Sequence, residues 1–107
     1  MLYKIESSFV VLLFVVIALG MIGCGGEEEQ PTAEELTTEA WGRYETEKYD
    51  DSVNKLEEAT TNYPEHADAY VGLGWTYGKM LDINKSISNF SVALSIEPLN
   101  PDALAGI

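Results

Sequence analysis

Few residues in this chain have the type and spacing for covalent chemistry. Cys24 is the one thiol and His66 the one imidazole, far apart in sequence. A single cysteine cannot close an internal disulfide, and one Cys with one His leaves too few ligands for a zinc site. No base stands near Cys24 to activate it as a nucleophile. Glu27-Glu28-Glu29 lie in a stretch with nothing apolar to bury, so they do not preorganise a metal site. Asp50-Asp51 reads as helix-start charge favoured by the dipole rather than a catalytic pair. Gly72-Leu73-Gly74 has no preceding strand and so makes no dinucleotide loop. Gly74-x-x-x-Gly78 reads as helix-packing glycine, and His66 as a solvated residue between helices. The expectation is a protein that is not an enzyme, with no catalytic residues, no metal and no cofactor.

The charge balance narrows the partners. The 107 residues hold six Lys+Arg against eighteen Asp+Glu, a net charge of −12. Neutralising phosphates requires basic side chains, so nucleic acid is excluded as an expected ligand. Docking on anionic lipid through a basic patch is disfavoured for the same reason.

Three zones must position whatever chemistry remains. In residues 1–23, Lys4 is followed by the apolar run Phe9–Leu19, the pattern of a secretory signal. The run ends in Met21-Ile22-Gly23-Cys24, then Gly25-Gly26. This resembles the lipobox of bacterial lipoproteins, with Met21 where the family usually has Leu. The resemblance implies a diacylglyceryl thioether on Cys24, cleavage before it, and small Gly23 admitting the peptidase. Gly25, in place of the Asp that retains such proteins at the inner membrane, implies an outer-membrane address in a cell with two membranes. The protein would then be exported and held on the periplasmic side. A glycosylation reading of Asn84-Lys-Ser86 or Asn89-Phe-Ser91 would find no use in a bacterial setting. The competing reading is an uncleaved signal anchor: residues 7–26 are uncharged, and about 20 residues as helix span about 30 Å. Residues 24–32 follow as the lipidated cysteine and an acidic flexible tether.

The third zone repeats with a period of 34. Pro64 pairs with Pro98, Ala59 with Ala93, Leu56 with Phe90, Val53 with Ile87, Ser52 with Ser86, Tyr49 with Ile83, Trp41 with Trp75, and Ala40 with Gly74. Within each period the apolar spacing is helical, as at Tyr70, Leu73, Gly74 and Tyr77, and at Ile83, Ile87, Phe90 and Leu94. Helices are expected near 33–46, 50–62, 66–80 and 84–96, with a fifth starting at 101. Thr32-x-x-Glu35 has capping-box spacing, Asp50 and Asn84 are cap types, and Asn100-Pro101 opens the fifth helix. Pro64 and Pro98 stop the helices before them. Glu39 and Arg43, four apart, can pair on an exposed face.

A 34-residue helix–turn–helix unit with these residues resembles the tetratricopeptide repeat. The expected fold class is therefore all-α, an α-solenoid: repeat one over 33–66, repeat two over 67–100, and the start of a third over 101–107. Ala40, Gly74, Tyr77, Ser86, Phe90, Ala93 and Pro98 take the family's packing positions. The resemblance also implies a groove lined by the first helix of each pair. Carried over, its residues are Thr37, Trp41, Tyr44, Val71, Trp75 and Lys79, with Glu34, Glu45 and Asp68 beside them and Gly72 and Gly78 leaving space. The implied partner is a protein, presenting an extended peptide or helix that is basic as well as apolar. The alternative is that both tryptophans simply pack between helices. Relatives that clamp a terminal carboxylate use Lys, Asn and Arg where this chain has Thr37, Trp41, Gly72, Asp102 and Gly106, so that ligand class is excluded.

Roughly three such repeats are needed for a stable stack. The expectation is an N-terminal part of a longer repeat protein, or self-association. The functional expectation is a membrane-anchored interaction and scaffold module of the cell envelope. Its rivals are a recruiting or regulatory domain of a larger envelope enzyme and a self-associating structural dimer.

Overall fold

A computed structural model describes residues 28–107. Cys24, the lipobox-like stretch and the signal-like run lie outside the described residues. The chain divides into two units, residues 1–30 and 31–107; of the first, Glu28, Glu29 and Gln30 are exposed and without regular structure.

The second unit is helical throughout: α1 (Ala33–Glu45), α2 (Tyr49–Asn62), α3 (Ala67–Lys79), α4 (Ile83–Ile96) and α5 (Pro101–Gly106). No strand occurs among the described residues. Each helix packs on the next, and α3 also touches both α1 and α5. The boundaries repeat at the 34-residue offset: Ala33, Ala67 and Pro101 start helices, as do Tyr49 and Ile83.

Local chemistry explains the ends. Thr32 Oγ1 accepts from the Glu35 amide at 3.1 Å and donates to the Glu35 carboxylate at 3.3 Å. That is the expected capping pair, with the return bond made to the hydroxyl. Asn100 Oδ1 accepts from the Ala103 amide at 2.9 Å, ahead of Pro101 in the first turn of α5. Asp50 and Asn84 are not caps. The cap residues are Lys48, which makes no side-chain cap bond, and Asp82, whose carboxylate accepts from the Lys85 amide. The reason is that α1 and α3 end in a left-handed residue, Glu47 (φ 63°) and Leu81 (φ 66°). Lys48 N–H then donates to Arg43 O at 2.8 Å and Asp82 N–H to Tyr77 O at 2.9 Å. This six-to-one closure reverses the chain within three residues, so the next helix begins earlier than the cap residue types suggest.

Two apolar clusters form the core. Leu36 and Ala40 of α1, Val53, Leu56 and Ala59 of α2, and Ala69, Leu73 and Tyr77 of α3 make the first. Val71, Phe90, Ala93 and Ala103 make the second, with Tyr70, Trp75 and Leu94 packed against it. Helix α3 serves both, and eight of its thirteen residues are buried, as an apolar-all-round helix requires. Ala40, Gly74, Tyr77, Ser86, Phe90 and Ala93 are all buried, in keeping with packing. Pro98 is exposed, two residues past the end of α4.

Buried hydroxyls tie the helices together at the same offset. Ser52 and Thr76 share a hydrogen bond of 3.3 Å between α2 and α3, and Ser86 Oγ donates to Gly74 O at 2.7 Å between α4 and α3. Glycine makes the close approaches possible. A methyl on Gly74 would lie 2.6 Å from the Phe90 ring, and one on Gly72 would lie 2.9 Å from Leu56.

Candidate functional site

Two surfaces collect the unusual side chains. The first is a cleft of about 290 Å³ where α1 faces the start of α3, lined by Glu34, Thr37, Thr38 and Trp41 with His66 and Asp68. Trp41 is half-buried. Its ring meets the edge of Tyr44 at 5.1 Å, and Tyr44 in turn meets Tyr49 at 5.7 Å. Tyr44 thus links Trp41 on α1 to Tyr49 on α2. Two carboxylates at the rim, from Glu34 and Asp68, set the sign of the cleft. The rest of the α1 surface is also acidic, with a shallow hollow lined by Glu34, Glu35 and Glu39.

Arg43 does not offset this field at the cleft. It pairs with Glu39 at 3.2 Å, as expected from their spacing, and also with Asp51 at 3.3 Å. Lys55 reaches Glu39 from α2 at 3.5 Å. These exposed pairs are worth at most about 1 kcal/mol each, and they leave the carboxylates of the cleft to solvent or a ligand.

The second surface is a pocket of about 420 Å³ formed by α3, α4 and the end of α5. Trp75 forms one wall, edge-on to Phe90 at 5.4 Å. Lys79 stands on the rim, and Ile83, Ile87 and Ile107 supply apolar floor. Ile83 and Ile87 are 55% and 49% exposed, so they leave the core to which their helical spacing had pointed.

The expected groove residues therefore separate into three groups. Glu34, Thr37, Trp41 and Asp68 converge on the first cleft, and Tyr44 contacts Trp41 without lining it. Trp75 and Lys79 belong to the second pocket. Val71 is 3% exposed and lies in the second core cluster, so it presents no surface to a partner. Thr37 has only its edge in the cleft: its hydroxyl donates to Ala33 O at 2.7 Å, and the residue is 6% exposed. The reasons differ: Val71 packs with Phe90 and Ala93 of α4 and Ala103 of α5, whereas the Thr37 hydroxyl is taken up by its own helix. The pocket around Ile83 and Ile87 was legible only in part. Their pairing with Tyr49 and Val53 was visible, but the absence of a covering side chain was not.

Among the described residues, Tyr77 is the one group whose ionisation clearly shifts. Burial raises its phenol above the ordinary 10.0, and the carboxylate of Glu57, which accepts its proton at 3.1 Å, adds to the rise, as does Asp82. Its hydroxyl is a partly buried hydrogen-bond donor that ties α3 to α2. Among the described residues, no three of His, Cys, Asp and Glu are grouped to hold a metal ion. No helix among them is long and apolar enough to cross a membrane. What the first cleft offers chemically is a rigid aromatic face flanked by carboxylates, suited to a cationic or amphipathic group. In comparisons with known proteins, no family model matches the chain, and neither a curated protein nor a solved structure matches it.

Proposed function

We propose that this protein is a membrane-anchored interaction module of a bacterial cell envelope, a lipoprotein carrying tetratricopeptide-type repeats. It binds a protein partner and performs no catalysis of its own. The observation that carries the repeat reading is the recurrence at 34 residues of helix starts, left-handed helix ends and glycine contacts. The order of packing agrees with a stack, because α3 touches α1 and α5 while successive helices pair. The anchor rests on sequence: the apolar run, Gly23-Cys24 and the acidic spacer. Lipid on Cys24 holds the module on the periplasmic side, at the outer membrane where there are two.

The groove centres on Trp41, and its partner is a peptide or helix bearing Lys or Arg next to apolar side chains. Two measurements test this. The intact mass of the native protein from the membrane fraction is expected to correspond to a chain starting at Cys24 plus lipid; retention of Met1 overturns the lipoprotein reading. Binding of a panel of amphipathic peptides, basic and acidic, is expected to select the basic ones and to weaken about tenfold or more in Trp41→Ala, as at an interface hot spot. Undiminished binding of the basic peptides by a folded Trp41→Ala variant, or no preference for basic over acidic peptides in the parent protein, overturns the groove.

A further inference from the structure

The cap positions of α1, α3 and α5 are held by Thr32, His66 and Asn100. Two of the three cap with their side chains. Thr32 Oγ1 accepts from the Glu35 amide at 3.1 Å, and Asn100 Oδ1 accepts from the Ala103 amide at 2.9 Å. His66 makes no side-chain cap bond. The equivalent donor, the Ala69 N–H, goes instead to the His66 carbonyl at 3.1 Å. Histidine is not among the residues that favour a helix cap, so local helix chemistry does not account for an imidazole here. The residue is half-buried and lines the Trp41 cleft together with Glu34 of α1 and Asp68 of α3.

Those two carboxylates are the charged groups that share the cleft with it. Glu65, its chain neighbour, is exposed, and α2 brings no charged residue to the cleft. Among the described residues, none of Glu34, His66 and Asp68 takes part in an ion pair. Imidazole changes charge between about pH 5 and 8, whereas carboxyl groups ordinarily do so at about pH 4. We infer that His66 is a proton-operated gate on this cleft: neutral, it leaves both carboxylates to a Lys or Arg side chain of the partner; protonated, it engages them itself and repels that cation. The gate rests on the Trp41 groove proposed above and adds its regulation. Protonation offsets one of the two negative charges of the cleft. A like charge about 4 Å from the bound cation costs about fivefold in affinity even at the dielectric constant of water. Linkage is reciprocal, so a partner that prefers the neutral ring makes that ring harder to protonate, by about 0.7 pH units for a fivefold preference.

His66 is the one histidine of the chain, so its ring protons report its titration directly by NMR. The probe is an amphipathic peptide of Leu and Arg. Its affinity for the full chain is expected to fall about fivefold from about pH 8 to about pH 5.5. Saturating peptide is expected to lower the midpoint of the imidazole by about 0.7 pH units. In His66→Asn the fall in affinity is expected to vanish. Asparagine caps α5 at the equivalent position, so this variant is expected to fold at least as well as the parent. A fall of the same size in His66→Asn, or a midpoint that saturating peptide leaves unmoved, overturns the gate, while Trp41-dependent binding at about pH 8 keeps the groove. Absence of peptide binding at that pH overturns groove and gate together.

Discussion

At the scale of single residues, Gly74 and Tyr77 carry the sharpest consequences. Gly74 lies so close to the Phe90 ring that an added methyl would sit 2.6 Å from it. Phe90 is itself 1% exposed, and Trp75 rests edge-on against it, so the ring has little room to withdraw. Gly74→Ala is therefore expected to destabilise by about 1–3 kcal/mol through overpacking, despite alanine's better helix propensity. Urea unfolding checks this, and an unchanged midpoint would show that the ring moves freely. Tyr77 gives a pH signature. Its folded phenol holds its proton past 10.0, so the stabilisation is complete below that pH and is lost as pH rises through the raised value. Tyr77 is expected to ionise late in an ultraviolet titration, and Tyr77→Phe removes that late component. The same variant loses a partly buried hydrogen bond to Glu57, about 0.5–1.5 kcal/mol at neutral pH. It is expected to lose less stability than the parent above pH 10.

At the scale of elements, the helix ends are not built from the residues that suit them best. Glu47 and Leu81 occupy left-handed positions, which glycine tolerates without the steric cost that other residues bear. Leu81 is 82% exposed, so its side chain returns little packing for that cost. Glu47→Gly and Leu81→Gly are each expected to stabilise the protein by up to about 1 kcal/mol, read as a higher denaturation midpoint. A fall on either substitution would mean that the unfolded chain's added freedom outweighs the relief. The two turns share φ values and hydrogen bonds at an offset of 34 residues, so the two substitutions are expected to act alike.

At the scale of the whole molecule, electrostatics oppose compaction. Eighteen acidic groups face six basic ones, and the ion pairs around Arg43 and Lys55 engage only part of them. Self-repulsion of this kind weakens as salt shortens the Debye length to about 8 Å near 0.15 M. The melting temperature is expected to rise between low and physiological ionic strength. A fall would mean that the exposed pairs outweigh the repulsion, contrary to the small value such pairs have. If the proposed groove at Trp41 takes cationic peptides, their binding is expected to be strongest at low salt.

Sequence periodicity by itself determined the helices and their spacing, because burying one face of each helix demands apolar residues at helical intervals. It also determined the opening caps at Thr32 and Asn100, whose bonds are local. The starts of α2 and α4 were missed, since backbone closure through Glu47 and Leu81 decided them rather than Asp50 or Asn84. Only the tertiary structure decided which apolar residues are covered. Val53 and Ile87 are near-equivalents in sequence, yet one is 9% exposed and the other 49%. The difference is the second half of α3 lying over Val53. Burial belongs to a pair of surfaces, and a sequence pattern describes one of them at a time. For the same reason Val71, expected on a groove, is enclosed with Ala103 of α5, while Trp41 keeps an open edge.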